Sequence, residues 1–271
     1  MRAYRAIASA RFRELLQYRA AALAGVGTQV FWGFIKIMVL DAFYRGASGT
    51  QPMTLAQVVT YVWLGQALLA MLPWNVDREL AEKIRKGDVA FDLLRPMDLY
   101  GHWFMRTLAL RTAPTLMRSG PIFLFAGVAM ALMGQQRWAM MPPESAQALG
   151  LWLLSLLVAL VLGVAMTVLW SVSMMWTISG EGATHLAPAI VVIFSGMVVP
   201  LPLLPDAVAL VIEWLPFAGL FDLPSRIYMG HIQGAEAWGV LARQAVWAAI
   251  FVGLGRFFVA RGARQLVLQG G

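Results

Sequence analysis

Residues 77–98 read DRELAEKIRKGDVAFDLLRPMD, a strongly charged and strongly helical run in an otherwise apolar chain. The run carries apolar side chains at spacings of four and three around one off-phase step. These apolar residues are Leu80, Ile84, Phe91 and Leu94. Charged side chains fill the opposite face, so the pattern predicts a short amphipathic helix lying against a surface.

Two features divide this run into parts. Gly87 permits a left-handed helix end, and Asp88 can cap the segment that follows. Proline pushes the residue before it out of the helical region, so the Arg95–Pro96 pair ends the second segment. The sequence therefore predicts a helix, a hinge and a second short helix.

The composition surrounding this run is that of a membrane protein. Of 271 residues, 60% are hydrophobic and 13% are charged, and the mean hydropathy is +0.69. Soluble domains carry about twice this share of charged residues. At roughly 20 residues per spanning helix, about half the chain could lie in lipid. We therefore expect one all-α membrane domain over residues 1–271, with no room for a separate catalytic domain.

Hydropathy and proline placement predict six spans. They are approximately residues 20–44, 55–74, 112–133, 149–176, 186–199 and 238–260. Residues 1–19 have a helical apolar stripe between arginines and predict an amphipathic helix at the membrane surface. Residues 200–224 are proline-rich, with apolar pieces too short to span, and predict re-entrant or interfacial helices on the outer side.

The basic residues indicate the orientation. Five Lys or Arg precede the first span, seven surround residues 77–98 and three follow the last span. The external segments carry Arg45, Arg137 and Arg226. Under the positive-inside rule, both termini and residues 77–98 are cytoplasmic. Nucleic acid is not expected as a partner, because the basic residues cluster where membrane topology places them.

Few charges fall within the predicted spans. Asp41 and Arg45 are four residues apart and could pair near the outer interface. Lys36 lies deeper, and it could face a cavity or, as we favour, snorkel or pair internally. Arg118 is interpreted as an interface anchor, in a half-span bent by Pro114 and Pro121.

The sequence lacks the patterns of membrane enzymes and of nucleotide binding. It contains no HExxH, no GxSxG, no Walker A loop and no cysteine. Glu181 and His185 are four residues apart, but one Glu and one His do not hold a metal, and a solvated turn is the favoured interpretation. We expect a chain that is not an enzyme, binds no cofactor or metal, and draws any energy of ATP from a partner.

Aromatic and methionine residues suggest two roles. Tryptophans at span ends are interpreted as interface anchors, namely Trp63, Trp74, Trp103, Trp138 and Trp238. Others in the fourth span could line an adaptable pocket for apolar or aromatic substrates. This candidate substrate pathway comprises Trp152, Met166, Trp170, Met174, Met175 and Trp176. Packing against lipid or neighbouring helices is the favoured alternative for any one of them.

The layout resembles a known family. A basic N-terminal helix, six spans, a charged element between spans two and three, and broken outer helices are similar to the permease subunit of type-two ATP-binding-cassette exporters. The run IRKGDVAFDLLRPMD at 84–98 resembles a segment of a bacterial branch of these permeases. The closing Gln269–Gly270–Gly271 is similar to the C-terminus of that branch.

This resemblance implies that residues 77–98 are a coupling helix seated in a cleft of a separate ATPase. Its implied coupling residues are Arg78, Glu79, Ile84, Arg85, Gly87, Leu94, Arg95 and Pro96. Ile84 and Leu94 would pack on the partner, and Gly87 and Pro96 would hold the bend between its two helices. We call residues 77–98 the elbow. The resemblance further implies two ATPase copies that bind ATP and Mg²⁺, a second permease subunit, and a bacterial cytoplasmic membrane.

A secondary transporter or a structural membrane protein without an ATPase is the competing hypothesis. The sequence shows neither the paired intramembrane charges nor the inverted repeats expected of a secondary transporter.

Overall fold

The computed structural model describes residues 2–175 and 181–268, and within these residues the regular secondary structure is helical. The α-helices are α1 (Arg2–Leu15), α2 (Arg19–Gly46), α3 (Leu55–Leu68), α4 (Arg78–Lys86), α5 (Val89–Leu93), α6 (Leu99–Phe123), α7 (Met130–Leu132), α8 (Ala146–Ser173), α9 (Glu181–Phe194), α10 (Asp206–Trp214), α11 (Asp222–Tyr228) and α12 (Gly234–Leu268). A π-helical segment, Leu124–Ala129, joins α6 to α7.

Four helical stretches in the described residues are long and apolar enough to cross a membrane. They are Arg19–Gly46, Leu99–Leu132, Ala146–Ser173 and Gly234–Arg264. The prediction of an all-helical multi-pass membrane protein is therefore confirmed. The stretch Leu55–Met71 is apolar but shorter, and α9 has 14 residues. The count of six spans stays a prediction.

The third predicted span differs most from the structure. It begins at Leu99 rather than Thr112, because Asp98 caps the helix by accepting a hydrogen bond from the Gly101 amide at 2.7 Å. The helix passes through both prolines without ending, and its departure from α geometry comes after Pro121, at Leu124–Ala129. Polar residues in the first turns of this helix lower the mean hydropathy there, so the predicted span began too late in the sequence.

The core is organised around α8, which packs along α12 and also contacts α6 and α11. At one end of α8, a second apolar cluster joins segments that are far apart in sequence. It includes Leu80 of α4, Val89 of α5, Trp103 of α6, Val172 of α8 and Val259 of α12. The segments predicted to be cytoplasmic therefore meet at one end of the molecule, which we call the elbow end.

The opposite end holds the predicted Asp41–Arg45 pair, which is confirmed at 2.7 Å. Asp41 also pairs with Arg137 from the loop after α7. In the segment 200–224, the buried Asp222 accepts hydrogen bonds from the Tyr61 hydroxyl at 2.7 Å and the Leu201 amide at 3.1 Å. This segment therefore packs on α3, while its re-entry into a membrane stays a prediction.

Two predictions about side chains in the spans have clear outcomes. Lys36 pairs internally, as favoured, since its ammonium donates to the Met197 carbonyl at 2.8 Å. The prediction of Trp63 as an interface anchor is wrong. Trp63 is fully buried, with its ring edge-on to Phe34, and it donates to the Trp138 carbonyl at 2.8 Å.

Arg118 lies against α2 rather than extending freely towards an interface. A Cβ atom placed on Gly25 would come within 2.7 Å of the Arg118 guanidinium carbon. The Arg118 Nε is buried, with no hydrogen-bond partner within the described part of the chain. Gly25 thus makes the room that this side chain occupies between α2 and α6.

Candidate functional site

The first helix of the elbow, α4, is defined by strong local signals at both ends. The carboxylate of Asp77 accepts hydrogen bonds from the amides of Glu79 and Leu80 at 3.1 and 3.3 Å. Three basic residues occupy its last turn, where their positive charge interacts favourably with the negative end of the helix dipole. This short helix is therefore specified by its own sequence.

The hinge follows the sequence prediction in two of three respects. Gly87 adopts φ 79° and ψ 3°, the predicted left-handed helix end. The second helix, α5, ends at Leu93, before the Arg95–Pro96 pair, as predicted. The predicted cap by Asp88 is wrong, because its backbone is already helical at φ −66° and ψ −5° and its side chain makes no capping hydrogen bond.

The apolar residues of the elbow do not share one face. Leu80 and Ile84 are buried, together with Val89, in the apolar cluster of the elbow end. Phe91 is 69% exposed and Leu94 is 81% exposed. The prediction of one apolar face against one surface is therefore wrong, because the left-handed turn at Gly87 reorients α5 relative to α4.

Asp92 joins the two helices from the inside. Its carboxylate is buried and accepts from Lys83 Nζ at 2.9 and 3.0 Å and from Trp103 Nε1 at 3.2 Å. Burial by itself would raise the pKa of Asp92, but the hydrogen bonds from Lys83 and Trp103 outweigh it and hold the pKa below the ordinary 3.8. The prediction of Trp103 as an interface anchor is wrong, because Trp103 is buried and donates a hydrogen bond to Asp92.

Glu79 attaches α4 to two other helices. It forms ion pairs with Arg11 of α1 and Arg106 of α6. Glu79 keeps 47% of its side chain exposed, whereas the Arg11 side chain is only 12% exposed. The resemblance implied that Glu79 contacts a partner protein. In the structure its ion pairs also join α4 to α1 and α6.

A buried arginine fixes the chain just before α4. Arg111 is 3% exposed and donates to the Asn75 carbonyl at 2.6 Å and to Thr167 Oγ1 of α8 at 3.1 Å. The Asp77 amide donates to Ser171 Oγ of α8 at 3.2 Å. Sequence reasoning counted Arg111 with the cytoplasmic basic residues and missed this role, for which the sequence offers no signal.

The outward surface of the elbow mixes charge with apolar area. Besides Phe91 and Leu94, its exposed residues include Arg78, Glu79, Glu82, Arg85, Lys86, Leu93, Arg95 and Pro96. We call this set the elbow surface. Exposed apolar side chains on the same element as several arginines suit a protein docking surface, since arginine and aromatic residues are enriched in such surfaces.

The candidate pathway residues are spread along α8. Trp152 and Met174 are separated by about 33 Å along a helix axis, at 1.5 Å per residue. Met166 is fully buried in the central core, and Met174 belongs to the elbow-end cluster. Trp170 and Met175 are half-buried beside that cluster. The structure does not bring them to one cavity, and Trp176 lies outside the described residues.

Trp152 does line a cavity, at the end opposite the elbow. This cavity of about 410 Å³ is bordered by Phe123, Trp152 and Tyr228. The rings of Trp152 and Tyr228 meet edge-on, with centroids 5.1 Å apart. The Trp152 Nε1 is buried and has no hydrogen-bond partner in the described residues. An apolar group bearing one acceptor would fit these walls.

No three His, Cys, Asp or Glu side chains of the described residues converge to hold a metal ion. The side chains of Glu181 and His185, and the closing Gln269–Gly270–Gly271, lie outside those described. By length and composition, four helical stretches of the described residues can cross a membrane.

These features define a class of protein: a multi-pass helical membrane protein with a hinged pair of short helices at one end. The chain belongs to a known family within that class. The family model described as "ABC-2 family transporter protein" matches residues 30–270. No curated protein matches, and no solved structure matches. The predicted resemblance to type-two ATP-binding-cassette permeases is confirmed.

Membership of this family fixes the general role. The chain is a transmembrane permease subunit of an ABC transporter and is the non-catalytic membrane component. Membership of the family implies association with an ABC ATPase, which in this family is a separate protein.

Proposed function

We propose that this permease exports an amphiphilic or hydrophobic molecule across a bacterial cytoplasmic membrane. Two copies of the chain, or one copy with a homologous subunit, would pair with two copies of an ABC ATPase that bind ATP and Mg²⁺. Closure of the ATPases would push on the elbow and switch the permeases between inward- and outward-facing states.

The proposed topology has six spans, with both termini and the elbow in the cytoplasm. The small number of basic residues in the loops at the opposite end supports it. Arg45 and Arg137 pair with Asp41, and Arg226 pairs with Glu213. The elbow end instead keeps many arginines exposed, which favours the cytoplasmic side under the positive-inside rule.

The observation that carries the coupling proposal is the exposure of Phe91 and Leu94 beside Arg85 and Arg95. Exposed apolar side chains on a structured cytoplasmic element are costly unless a partner covers them. The arginines would add charge complementarity with acidic residues of the ATPase. We therefore assign the direct contact to α5 and to the last turn of α4.

The remaining predicted coupling residues would act from within the chain. Ile84 would support α4 through the elbow-end cluster, and Gly87 would fix the angle between the helices. Glu79 would transmit displacement to α1 and α6 through its ion pairs, and Asp77 to α8 through Ser171. A push on the elbow would then move three helices together.

For the substrate, we propose a pathway that includes the cavity at Trp152. Its apolar and aromatic lining suits an acyl or aromatic group, and the unpartnered Trp152 Nε1 suits an ester or ether oxygen. The neighbouring π-helical segment Leu124–Ala129 supports this proposal, since such segments are frequent at functional sites. The other predicted pathway residues could contact the substrate only if the helices around α8 moved apart. They are Met166, Trp170, Met174 and Met175.

The proposal is tested by purifying the tagged chain with its bound ATPase. The variants are Leu94→Asp and the pair Arg85→Glu with Arg95→Glu. The control is Arg13→Glu, an exposed arginine of α1. We expect the elbow variants to lower ATPase recovery at least about tenfold, as for central interface residues, and the control to leave it unchanged.

Equal recovery in all variants would place the contact elsewhere on the molecule. Recovery of the wild-type chain with no ATPase would favour the competing hypothesis, a secondary transporter or a structural membrane protein.

A further inference from the structure

A large cavity lies between α1, the first turns of α6 and the second half of α12. Its volume is about 770 Å³. The walls are largely apolar and include Leu99, Phe104, Met105, Val252 and Val259. The polar residues at its border come from all three helices and are Tyr4, Arg5, Asp98, Tyr100 and Arg256. The cavity thus pairs an apolar interior with a polar, cationic border.

Two arginines of this border are available to a ligand. Arg5 and Arg256 are both exposed, and neither forms an ion pair or hydrogen bond with the residues that the structure describes. The Arg256 guanidinium stands over the Tyr100 ring, 5.8 Å from its centroid. This ring contact orients the guanidinium without neutralising its charge.

The one carboxylate of the border is already engaged. Asp98 caps α6 by accepting from the Gly101 amide at 2.7 Å, where the helix dipole offsets its charge. The Asp98 amide donates to the Tyr4 hydroxyl at 3.2 Å. The lining therefore keeps two free guanidinium groups against one engaged carboxylate, a net attraction for an anion.

The Tyr100 side chain adds an unused donor at the same place. Tyr100 is 3% exposed, and its hydroxyl has no hydrogen-bond partner among the described residues. Its ring lies so close to Gly255 that a Cβ atom there would come within 2.5 Å of it. A buried hydroxyl without a partner costs free energy, which a ligand oxygen would recover once a small shift of the ring exposed the hydroxyl to the cavity.

We propose that this cavity binds an anionic phospholipid, with its phosphate between Arg5 and Arg256 and an acyl chain along the apolar walls. Guanidinium groups recognise phosphate oxygens, and basic pockets between membrane helices on the cytoplasmic side suit anionic headgroups. The assignment to the inner leaflet rests on the proposed topology. The binding itself requires neither the ATPase nor a transport substrate.

Such a lipid would stabilise α1 in its place. The cavity is closed on one side by α1, which packs on α6, and it touches Asp98, the residue that begins α6 directly after the elbow. Occupancy would therefore tie α1 and α6 together next to the elbow. Thermal unfolding of the intact chain reports this directly.

The test uses the delipidated full chain in a neutral detergent. Short-chain phosphatidylglycerol, phosphatidylcholine and inorganic phosphate are titrated, with binding followed by native mass spectrometry and by the unfolding midpoint. We expect phosphatidylglycerol to bind and to raise the midpoint. Arg5→Gln and Arg256→Gln should each weaken its affinity about fivefold, from about 1 kcal/mol per basic residue.

Matched controls separate this site from general attraction to anionic lipid. Arg2→Gln and Arg261→Gln remove exposed arginines from the same two helices but outside the cavity lining, and should leave the affinity unchanged. Val252→Phe keeps both arginines but fills the apolar wall, and should also weaken binding.

Three results would overturn the proposal. They are equal binding of phosphatidylcholine and phosphatidylglycerol, equal loss in the control and cavity variants, and an equal effect of inorganic phosphate alone. The last result would assign the arginines to a free anion instead of a lipid.

Discussion

The ammonium of Lys83 lies 3.0 and 2.9 Å from the two carboxylate oxygens of Asp92, and this ion pair joins the two helices of the elbow across Gly87. Asp92 has 1% of its side chain exposed, and Lys83 has 30%. Arg95 and His102 stand further from the same carboxylate, at 3.6 and 3.9 Å. The elbow therefore keeps its shape through one buried carboxylate surrounded by donors.

Replacing that carboxylate should loosen the elbow. Asp92→Asn keeps the size of the side chain but removes its charge, and we expect a loss of about 2 kcal/mol of stability. The thermal unfolding midpoint of the purified chain measures this. Glu82→Gln is the control, because Glu82 and Lys86 form an exposed pair at 3.9 Å and should contribute under about 0.5 kcal/mol. Equal midpoints for the two variants would contradict this role of Asp92.

The same carboxylate predicts a pH dependence. The folded-state pKa of Asp92 lies below its ordinary value, so the ionised group stabilises the fold at pH values above the ordinary pKa. That stabilisation is lost as the pH falls through the folded-state pKa. The midpoint difference between wild type and Asp92→Asn should stay constant from about pH 8 to 5 and shrink below about pH 4. A difference that grew on acidification would refute this assignment.

Replacing Gly87 should lower the stability of the elbow, because other residues adopt its left-handed backbone conformation less readily. A Cβ atom there meets nothing within 4 Å, so the left-handed conformation alone opposes a side chain. We expect Gly87→Ala to destabilise the elbow by about 1–2 kcal/mol, and Gly87→Asn by less, since asparagine tolerates this conformation. Hydrogen exchange of the α4 and α5 amides measures the effect.

The control for Gly87 is Gly120→Ala in α6, where an added Cβ also meets nothing and no left-handed conformation is required. This variant should be neutral or stabilising by up to about 1 kcal/mol. The backbone explanation fails if Gly87→Ala and Gly120→Ala behave alike.

Two glycines of α2 should respond differently to the same change. Gly25→Ala places a methyl group 2.7 Å from the Arg118 guanidinium carbon, the end of a flexible side chain that must shift, whereas Gly27→Ala meets nothing within 4 Å. Both changes gain helix propensity, so we expect Gly27→Ala to be neutral or stabilising by up to about 1 kcal/mol and Gly25→Ala to be less favourable than Gly27→Ala by about 1 kcal/mol. Thermal unfolding of both variants tests this difference. Adding Arg118→Ala to each should reduce the cost of Gly25→Ala and leave Gly27→Ala unchanged. Additive effects at Gly25 would show that Arg118 does not occupy that space.

Several features of the fold and of the site followed from local sequence alone. The helix break at Gly87, the end of α5 before Arg95–Pro96, and the Asp41–Arg45 pair were all predicted and are present. Each depends on residues within a few positions of one another, so backbone preference and side-chain reach suffice to determine it.

Other features required contacts between distant segments. Hydropathy averaged over a window placed the start of the third span at Thr112, because it could not count the cap at Asp98 or the burial of Arg111 against Thr167. Trp103 resembled an interface anchor until its partner Asp92 was known. A polar side chain near a span end is interpreted correctly only when its partner is located.

The sequence by itself determined that this is a helical membrane protein with a charged, hinged element between two apolar segments, because composition and periodicity fix burial in lipid and local helix formation. Tertiary structure alone decided which residues of that element face inward. Leu80 and Ile84 turn to the core and Phe91 and Leu94 to the surface, because a left-handed turn at Gly87 and the ion pair of Lys83 with Asp92 set the angle between two helices.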